Sequence, residues 1–260
     1  MNQFNYKTSA GVTALSAKMT DFTYKKHAHS EYAIGVTMRG IQHYHLDGHL
    51  QLSHQNGVML FNPEQTHDGM AHDDRGLDYV MLYIEPQLLL ESIGQKEIVC
   101  FSDPIVYDKK IQFRTLHLAK AILHQEDEAI CSERLIELAD SLFHPTTCSY
   151  QIKQDRLISK IKEVLRSHSK ETFKIDDVCT EFGMSKFQFI RFFKAHTNIT
   201  PYQYYLNSKI EGAKQLIEKE RDIYLAVNEY HFVDLTHLNR QFKQVYGLTA
   251  NEFVKNVHFL

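Results

Sequence analysis

The chain has 260 residues, 43% of them hydrophobic, and carries 29 Lys and Arg against 32 Asp and Glu, for a formal net charge of −3. A chain of this length can bury a substantial core and commonly forms two domains. It contains no apolar run of the roughly 18 to 20 residues that a membrane span needs, and residues 1–11 lack the layout of a signal peptide, so we expect a cytoplasmic protein.

The first third of the chain alternates between apolar and polar residues in short runs. Turn-forming pairs separate these runs, namely Arg39-Gly40, Asp47-Gly48 and Asn62-Pro63. Asp-Gly between two alternating runs is typical of a tight hairpin. Many short antiparallel strands predict a barrel or a sandwich. The predicted strands are 32–38, 41–46, 49–52, 58–61 and 77–84, with a polar stretch over 67–76.

After Pro86 the apolar residues take helical spacing. Two stripes, Ile111 to Leu123 and Leu135 to Phe143, predict helices that pack as a hairpin. The next residues, His144 to Tyr150, include a proline and a run of small polar residues that favour a linker. We therefore predict a first domain over 1–145, a linker over 146–153 and a second domain over 154–260.

The second domain is predicted to be entirely helical and is more basic than the first. Residues 151–260 hold 17 Lys and Arg against 13 Asp and Glu, whereas residues 1–150 hold 12 against 19. This excess is modest, so charge alone fits a solvated surface as well as nucleic-acid binding. The four cysteines lie far apart and are expected to be reduced thiols rather than a zinc or disulfide motif. The predicted helices are 156–168, 175–182, 186–195, 201–218, 223–230, 235–245 and 250–257.

One layout occurs twice in this helical domain, in Ser185 to Lys194 and in Leu235 to Lys243, and each copy ends in Arg-x-Phe-Lys. In both copies a short helix precedes the motif, which is typical of a helix-turn-helix. Gly183 is expected to supply the positive φ of the first turn and Ser185 to cap the helix that follows. Asp234 is the expected cap in the second unit.

The second helix of each unit is the expected DNA-reading helix. Arg191 is our first choice for a base contact, because a guanidinium can bond both major-groove acceptors of guanine. Lys186 and Lys194 suit phosphates. A helical hairpin that never touches DNA is the alternative, and the repetition of the layout counts against it. The residues predicted to face DNA are Lys186, Phe187, Gln188, Ile190, Arg191 and Lys194 in the first unit, and Leu235, Thr236, His237, Asn239, Arg240 and Lys243 in the second.

The segments Ser185 to Leu206 and Asp234 to Phe253 resemble the C-terminal signature of the AraC/XylS family of transcription regulators. The resemblance implies two helix-turn-helix units joined by a long helix, here about Tyr202 to Glu218. It also implies reading helices on one face of DNA, roughly 34 Å apart. The chain departs from the family pattern at three positions: Asn198 and His231 replace glycines and Ala250 replaces a proline. We expect His231 to weaken the docking of the second unit on DNA.

The N-terminal half resembles the cupin-like effector barrel of the same family, through Gly57 to Phe61, Pro63 and a set of histidines. His27, His29 and His67 fall where metal-binding cupins carry ligands, but Glu31 lies too close to His29 for the enzymatic pattern. We therefore predict no metal and no cofactor, and interpret these residues as barrel histidines with satisfied hydrogen bonds. The effector-binding candidates are Tyr32, Arg39, His43, His67, Tyr79 and Tyr83. For Arg39, a surface position is the alternative to a grip on a carboxylate.

The predicted fold class is α+β in two domains: an antiparallel cupin-like barrel with a helical hairpin, then an all-α domain with two helix-turn-helix units. The resemblance implies a DNA-binding transcription regulator, not an enzyme, that senses an amino acid or similar small metabolite. It further implies a homodimer formed through the helical hairpin, and an activator that contacts RNA polymerase. Two alternatives stay open at this point, a metal-dependent cupin enzyme and a ligand-responsive protein-interaction module.

Overall fold

The computed structural model describes residues 2–94, 100–142, 156–171 and 173–256. The predicted linker over 146–153 lies outside these ranges, as do Phe143 and Cys148. The described ranges contain ten strands. They are β1 Gln3–Ser9, β2 Val12–Met19, β3 Thr23–His27, β4 Tyr32–Arg39, β5 Gln42–Leu46, β6 His49–Ser53, β7 Val58–Phe61, β8 His67–Ala71, β9 Leu77–Ile84 and β10 Ile105–Val106.

The strands form two antiparallel sheets that face each other as the walls of a barrel. The larger sheet has the order β1-β2-β9-β4-β7-β10, and the smaller has the order β3-β8-β5-β6. Leu15 and Met81 from the larger sheet and Tyr44 from the smaller meet in one buried cluster inside the barrel. On β4, Ala33 belongs to this interior, whereas Tyr32, Ile34 and Val36 face the opposite side, as period-two alternation requires.

The predicted hairpin at Asp47-Gly48 is present between β5 and β6. Asp47 has φ +48° and Gly48 has φ +86°, so both turn residues are left-handed, as the tightest hairpin turn requires. A second hairpin, at Ala10-Gly11 between β1 and β2, has φ values of +51° and +72°. The sequence prediction omitted this hairpin, together with β3, β8 and β10.

The helices are α1 Pro86–Ser92, α2 Lys109–Leu123, α3 Glu128–Leu142, α4 Arg156–Ser167, α5 Ile175–Glu181, α6 Lys186–Thr197, α7 Pro201–Glu220, α8 Ile223–Glu229, α9 Leu235–Tyr246 and α10 Ala250–Asn256. Helices α2 and α3 form the predicted hairpin. Their apolar faces, with Leu118 and Leu138 fully buried, pack on the outer face of the larger sheet against Ile34 and Leu82. No helix in the described part of the chain is long and apolar enough to cross a membrane.

The helical domain has two cores, one for each helix-turn-helix unit. Helices α4, α5 and α6 enclose the first around Ile161, Phe189 and Phe193. The second, around Phe242 and Phe253 of α9 and α10, is continuous with the buried cluster inside the barrel. Helix α7 contributes to both cores. The second unit therefore packs on the barrel as well as on α7. This packing fixes the position of its second helix relative to the barrel.

Candidate functional site

Helix α6, the reading helix of the first unit, begins at a capping box. The Ser185 hydroxyl accepts a hydrogen bond from Gln188 N, and Gln188 Oε1 accepts one from Ser185 N. Gly183 in the preceding turn has φ +61°, as predicted, and Asn198 ends the helix at φ +59°. Asn is one of the few residues that tolerate this region, so the replacement of the family's glycine leaves this helix end intact.

The outer face of α6 carries most of the predicted DNA contacts in exposed positions. Arg191 and Lys194 are exposed, and Phe187 leaves 72% of its surface accessible. Lys186 is exposed but pairs with Asp176, at 2.9 Å. Ile190 is half-buried, and the side-chain oxygen of Gln188 is occupied by the cap. The open cationic surface of this helix therefore centres on Arg191 and Lys194.

The turn of the second unit is formed despite His231. This residue adopts φ +46°, the conformation for which the family uses glycine, and its carbonyl oxygen accepts a hydrogen bond from Lys209 Nζ at 3.1 Å. Lys209 is buried, and burial lowers the pKa of its ammonium. The Asp234 carboxylate accepts from His237 N at 2.6 Å and caps α9, as predicted. A left-handed histidine is strained relative to glycine, but the tight turn is present.

On α9 the predicted contacts divide into outward and inward sets. Thr236, Arg240 and Lys243 are exposed. Leu235 is half-buried against the core, and Asn239 Oδ1 accepts from Asn251 N at 3.3 Å, which turns its amide toward α10. His237 is half-buried, and desolvation and the nearby Arg240 lower its pKa. Because a DNA contact needs an accessible side chain, the outward set is the stronger one.

A small cavity lies inside the barrel, and we call it the barrel cavity. The cavity volume is about 30 Å³, room for only a few water molecules. Val245 of α9 closes one side, so the second reading helix forms part of the wall. An adjacent pocket shares His27, His29, Tyr83 and Val245 with the barrel cavity. Its other lining residues are Tyr6, Thr13, Glu31, Lys214 and Tyr246. The barrel residues around the cavity are Tyr24, His27, His29, Ala33, Gln42, Phe61, His67, Asp68, Tyr79, Met81 and Tyr83.

Three histidines cluster at this cavity. The ring centroids of His27 and His67 lie 4.4 Å apart, and that of His29 lies 5.0 Å from His67. Each Nδ1 is hydrogen-bonded to a backbone carbonyl: His27 to that of Lys25, His29 to that of Glu31, and His67 to that of Gln65. A carbonyl only accepts, so each Nδ1 carries the proton and the Nε2 atoms are left to accept. Burial lowers the pKa of His27 to about 4 and that of His67 well below its usual value.

The cluster does not form a recognisable metal site. Within the described ranges, no three His, Cys, Asp or Glu side chains are arranged to hold a metal ion. We predicted that all three histidines have satisfied hydrogen bonds. For His29 this is wrong, because its Nε2 is buried with no hydrogen-bond partner among the described residues. Gln42 Oε1, on the opposite sheet, is a second buried acceptor of this kind. The cavity wall therefore carries unused acceptors.

Three of the predicted effector contacts lie away from the barrel cavity, whereas His67, Tyr79 and Tyr83 line it. Tyr32 is buried on the outer face of the larger sheet, with its ring against Phe101. Arg39 is exposed and bonds both oxygens of Asp78, at 2.8 and 3.2 Å, which corresponds to the surface alternative. His43 points outward from β5 because strand alternation turns Gln42 and Tyr44 inward.

The turn between β7 and β8 joins the barrel to the first helix-turn-helix unit. The Glu64 carboxylate pairs with Arg166 at 2.9 Å and Lys162 at 3.4 Å, and also accepts from the Tyr204 hydroxyl at 2.9 Å. Two residues further on, the Thr66 hydroxyl donates to the Thr197 carbonyl at the end of α6, at 2.8 Å. The Glu64 amide donates to the His29 carbonyl, so this turn contacts the histidine cluster as well.

Helix α7 makes a second, largely buried contact with the barrel. Lys214 pairs with Glu218 at 3.0 Å and with Glu31 of the barrel at 3.7 Å. Glu211 Oε1 accepts hydrogen bonds from both the amide and the hydroxyl of Ser30. Burial disfavours the Lys214 ammonium, but the nearby carboxylates outweigh burial and raise its pKa. The two domains are therefore joined by ion pairs and hydrogen bonds in which each charged group already has a partner.

Sequence reasoning missed Gln42, Glu64 and Lys214, for different reasons. The alternation of β5 gave a signal for Gln42, because it shares a strand face with Tyr44 and Leu46. Glu64 and Lys214 resemble ordinary surface residues of a turn and a helix, and only the packing of the two domains buries them. No pattern in the sequence identifies such a contact.

Two family matches cover most of the described chain. Residues 9–139 match the AraC-like ligand binding domain. Residues 178–256 match a helix-turn-helix domain. The first match ends in α3, and the second includes most of both helix-turn-helix units. The two matches therefore fall on the barrel with its helices and on the helical domain.

Individual relatives agree with these matches. The uncharacterized HTH-type transcriptional regulator YbfI of Bacillus subtilis is 25% identical over 226 residues, covering 83% of this chain and 81% of the relative. YidL of Escherichia coli, also an uncharacterized HTH-type regulator, is 19% identical over 78% of this chain and 68% of its own length.

Solved structures of ToxT from Vibrio cholerae share the fold. One has a TM-score of 0.61 and 11% identity, covering 97% of this chain and 100% of ToxT. Another, of ToxT with a bound unsaturated fatty acid, has a TM-score of 0.57 at 11% identity, covering 97% and 94% of the two chains. At these identities the likeness concerns the fold alone.

Proposed function

This chain belongs to the AraC family of transcriptional regulators, with a ligand-binding domain and a helix-turn-helix DNA-binding domain, and from that premise we propose how the two domains act together. A small-molecule effector binds in the barrel cavity and changes how the reading helices are held, which changes promoter occupancy. The observation that carries this proposal is the position of Val245, which belongs to the reading helix α9 and also closes the cavity. Because the cavity of about 30 Å³ holds only a few water molecules, a larger ligand can enter only by displacing that helix.

The proposed DNA surface consists of the exposed side chains on the two reading helices. Arg191 and Lys194 of α6 and Thr236, Arg240 and Lys243 of α9 form its centre. Arg191 is assigned to a base edge and the lysines to phosphates. The predicted residues that are half-buried or internally bonded, such as Asn239, support the backbone of this surface rather than read bases.

We propose that the protein works as a homodimer and activates transcription with RNA polymerase as a partner. The outer side of the helical hairpin supports a dimer, because Phe113 is 58% exposed and Ile136 49% exposed on helices whose other face is buried. A dimer would double the DNA contacts and make half-site spacing a point of control. A regulator of this kind acts on chromosomal DNA in the cytoplasm. The functional division proposed is 1–145 for effector binding and dimerisation, 146–153 as linker and 154–260 for DNA binding.

We propose that the chain has no catalytic activity. A metal-dependent cupin enzyme is the competing assignment, motivated by His27, His29 and His67. Stoichiometric bound metal and a turnover that disappears with the metal would favour it. A protein-interaction module is the other competitor, and salt separates it from a DNA-binding protein. Contacts to several phosphates weaken by orders of magnitude between roughly 50 and 200 mM salt, whereas an apolar protein contact barely changes.

The test is fluorescence anisotropy of the purified chain on DNA from upstream of its own gene and on scrambled DNA of the same length, at both salt concentrations. The proposal predicts tighter binding to the upstream fragment and a steep loss of affinity at the higher salt. A salt-insensitive interaction, or equal affinity for both fragments under all conditions, would contradict it.

A further inference from the structure

The barrel cavity has buried acceptor atoms on both of its walls. His29 Nε2 comes from the segment between β3 and β4, and Gln42 Oε1 comes from β5. His29 is 8% exposed and Gln42 is 5% exposed, so neither atom is compensated by bulk solvent. Neither has a hydrogen-bond partner among the described residues. A buried polar group without a partner lowers the stability of a fold, and such groups concentrate at functional sites.

The neighbouring histidines add acceptors of the same kind. The Nδ1 atoms of His27 and His67 donate to the backbone carbonyls of Lys25 and Gln65, at 2.7 and 2.9 Å. The opposite ring nitrogen, Nε2, therefore carries a lone pair while the ring is neutral. Both rings border the same cavity as His29 and Gln42. Four side chains thus present acceptor atoms around one small space.

The charges around the cavity leave no cation for an acidic ligand. Among the described residues that line the barrel cavity and the adjacent pocket, Lys214 is the one Lys or Arg. Its ammonium is held by Glu218 at 3.0 Å and Glu31 at 3.7 Å. Asp68 also borders the cavity, but its carboxylate is bonded to the amide and the ring of His45. An incoming carboxylate would face histidine acceptors and the Glu31 carboxylate without a free cation to pair with.

We propose that the effector is a polyhydroxylated or amine-bearing small molecule without a carboxylate, whose O–H or N–H groups donate to His29 Nε2, Gln42 Oε1 and the neighbouring imidazoles. This inference rests on the proposed function, in which the barrel binds an effector. It separates the ligand from fatty acids and from amino acids bound through their carboxylate. Polyols and amines share the donor chemistry that the cavity needs, and a ligand panel distinguishes them.

The experiment is thermal-shift analysis of the full chain with pairs of compounds that differ by a carboxylate. The pairs are glucose and gluconate, ethanolamine and serine, and putrescine and ornithine, with octanoate as a fatty-acid probe and zinc chloride as a metal probe. The variants are His29→Phe and Gln42→Leu, which remove one acceptor each at similar volume. His43→Phe is the matched control, because His43 lies next to Gln42 on β5 but faces outward.

We expect at least one polyol or amine to raise the melting temperature of the wild type, and its acid counterpart to have no effect. Gln42→Leu and His29→Phe should each weaken that binding about tenfold, the effect of losing one hydrogen bond. The control variant should bind like the wild type. Without ligand, Gln42→Leu should melt no lower than the wild type, because it loses an unpartnered buried atom rather than a bond in use. His29→Phe should melt lower, because it also loses the hydrogen bond from His29 Nδ1 to the Glu31 carbonyl.

Several results would overturn the inference. Stabilisation by octanoate, or by gluconate but not glucose, would show an acid-binding site. Stoichiometric zinc binding lost in His29→Phe would make the cluster a metal site. No response to any polyol or amine, in a protein that still binds its upstream DNA, would reject this ligand class and leave the regulator assignment standing. Loss of upstream DNA binding as well would instead count against the proposed function.

Discussion

The Glu64 carboxylate of the barrel lies 2.9 Å from Arg166 Nη2 of α4, which packs against the first helix-turn-helix unit. The Glu64 amide donates to the His29 carbonyl, and His67 follows three residues later. One short turn therefore contacts both the histidine cluster at the cavity and the helices that support α6. This arrangement connects the wall of the barrel cavity to the helices around the first reading helix through one short turn.

We expect Glu64→Ala to loosen the contact between the domains. It removes the acceptor for Arg166, Lys162 and the Tyr204 hydroxyl, and Tyr204 is buried, so the loss should be about 1 to 3 kcal/mol of unfolding free energy. The measurement is urea unfolding of the full chain, combined with the change in DNA affinity on effector addition. Asp73→Ala, which removes an exposed ion pair with Arg75 inside the barrel domain, is the control. An unchanged effector response in Glu64→Ala would show that this turn does not couple the domains.

Lys214→Met should strongly destabilise the protein. The Lys214 side chain is 10% exposed and neutralises Glu31 and Glu218, so its loss leaves two half-buried carboxylates without a cation. Breaking a buried pair in this way costs about 3 to 5 kcal/mol. Lys219→Met, on the same helix with a side chain 79% exposed, should stay within about 0.5 kcal/mol of the wild type in the same unfolding experiment. Equal effects of the two variants would show that the buried contact is energetically unimportant.

Stability should fall as pH drops from 6.5 toward 4. The folded pKa of His27 is about 4, below its usual 6.5, because burial disfavours the charged ring. In this window the unfolded chain binds the proton more readily than the folded one, so acid favours unfolding by up to about 1.4 kcal/mol per pH unit and per histidine. His67, with a pKa lowered in the same direction, adds to the effect. His27→Gln should reduce the pH dependence of the unfolding free energy above pH 4.5, where carboxylates contribute least. An unchanged pH dependence in this variant would contradict burial of a neutral His27.

His231→Gly should stabilise the second helix-turn-helix unit. His231 holds φ +46°, which costs a side chain with a Cβ about 1 to 2 kcal/mol, and the greater freedom of glycine in the unfolded chain offsets part of the gain. A net increase of about 0.5 to 1 kcal/mol is expected in thermal or urea unfolding. Asn198→Gly, at φ +59°, should gain less because Asn tolerates this conformation. Destabilisation by His231→Gly would mean that the imidazole makes a contribution larger than the strain.

Arg191→Ala should weaken specific DNA binding by roughly 1 to 3 kcal/mol and relax the preference at one base pair. Arg240→Ala should cost less, because the neighbouring Asn239 is bonded to α10 and α9 is attached to the barrel. Anisotropy titrations on upstream and scrambled DNA provide the measurement. An equal loss on both DNAs would reassign Arg191 to a phosphate, and a larger loss from Arg240 would reverse the ranking.

The helices and the hairpin at Asp47-Gly48 could be predicted because their signals are local. Caps such as Ser185 and Asp234, apolar periodicity and a turn pair all depend on residues close together in the chain. Strand β8, in contrast, has the sequence HDGMA, with little strand propensity, and it forms because β3 and β5 pair with it on either side. Strand β3 carries two adjacent lysines that break its alternation.

The site was harder to predict than the fold because its two parts come from distant segments. His67, Tyr79 and Tyr83 face the cavity, and for Tyr79 and Tyr83 the alternation along their strand indicates a shared face. Tyr32 was predicted to face it too but lies on the outer face of the sheet, because a shift of one residue along a strand reverses the face. The cavity wall formed by Val245 depends on how α9 packs against the barrel. Such a contact between domains has no periodicity or motif that a sequence could display.

Hydroxyl-radical footprinting of the protein on DNA from upstream of its own gene tests the central claim most directly. If α6 and α9 are both reading helices, each subunit should protect two patches on one face of the DNA, centred about 10 base pairs apart. Arg191→Ala should weaken one patch and Arg240→Ala the other. A single patch per subunit, or protection that neither variant changes, would contradict the account of two helix-turn-helix units reading DNA together.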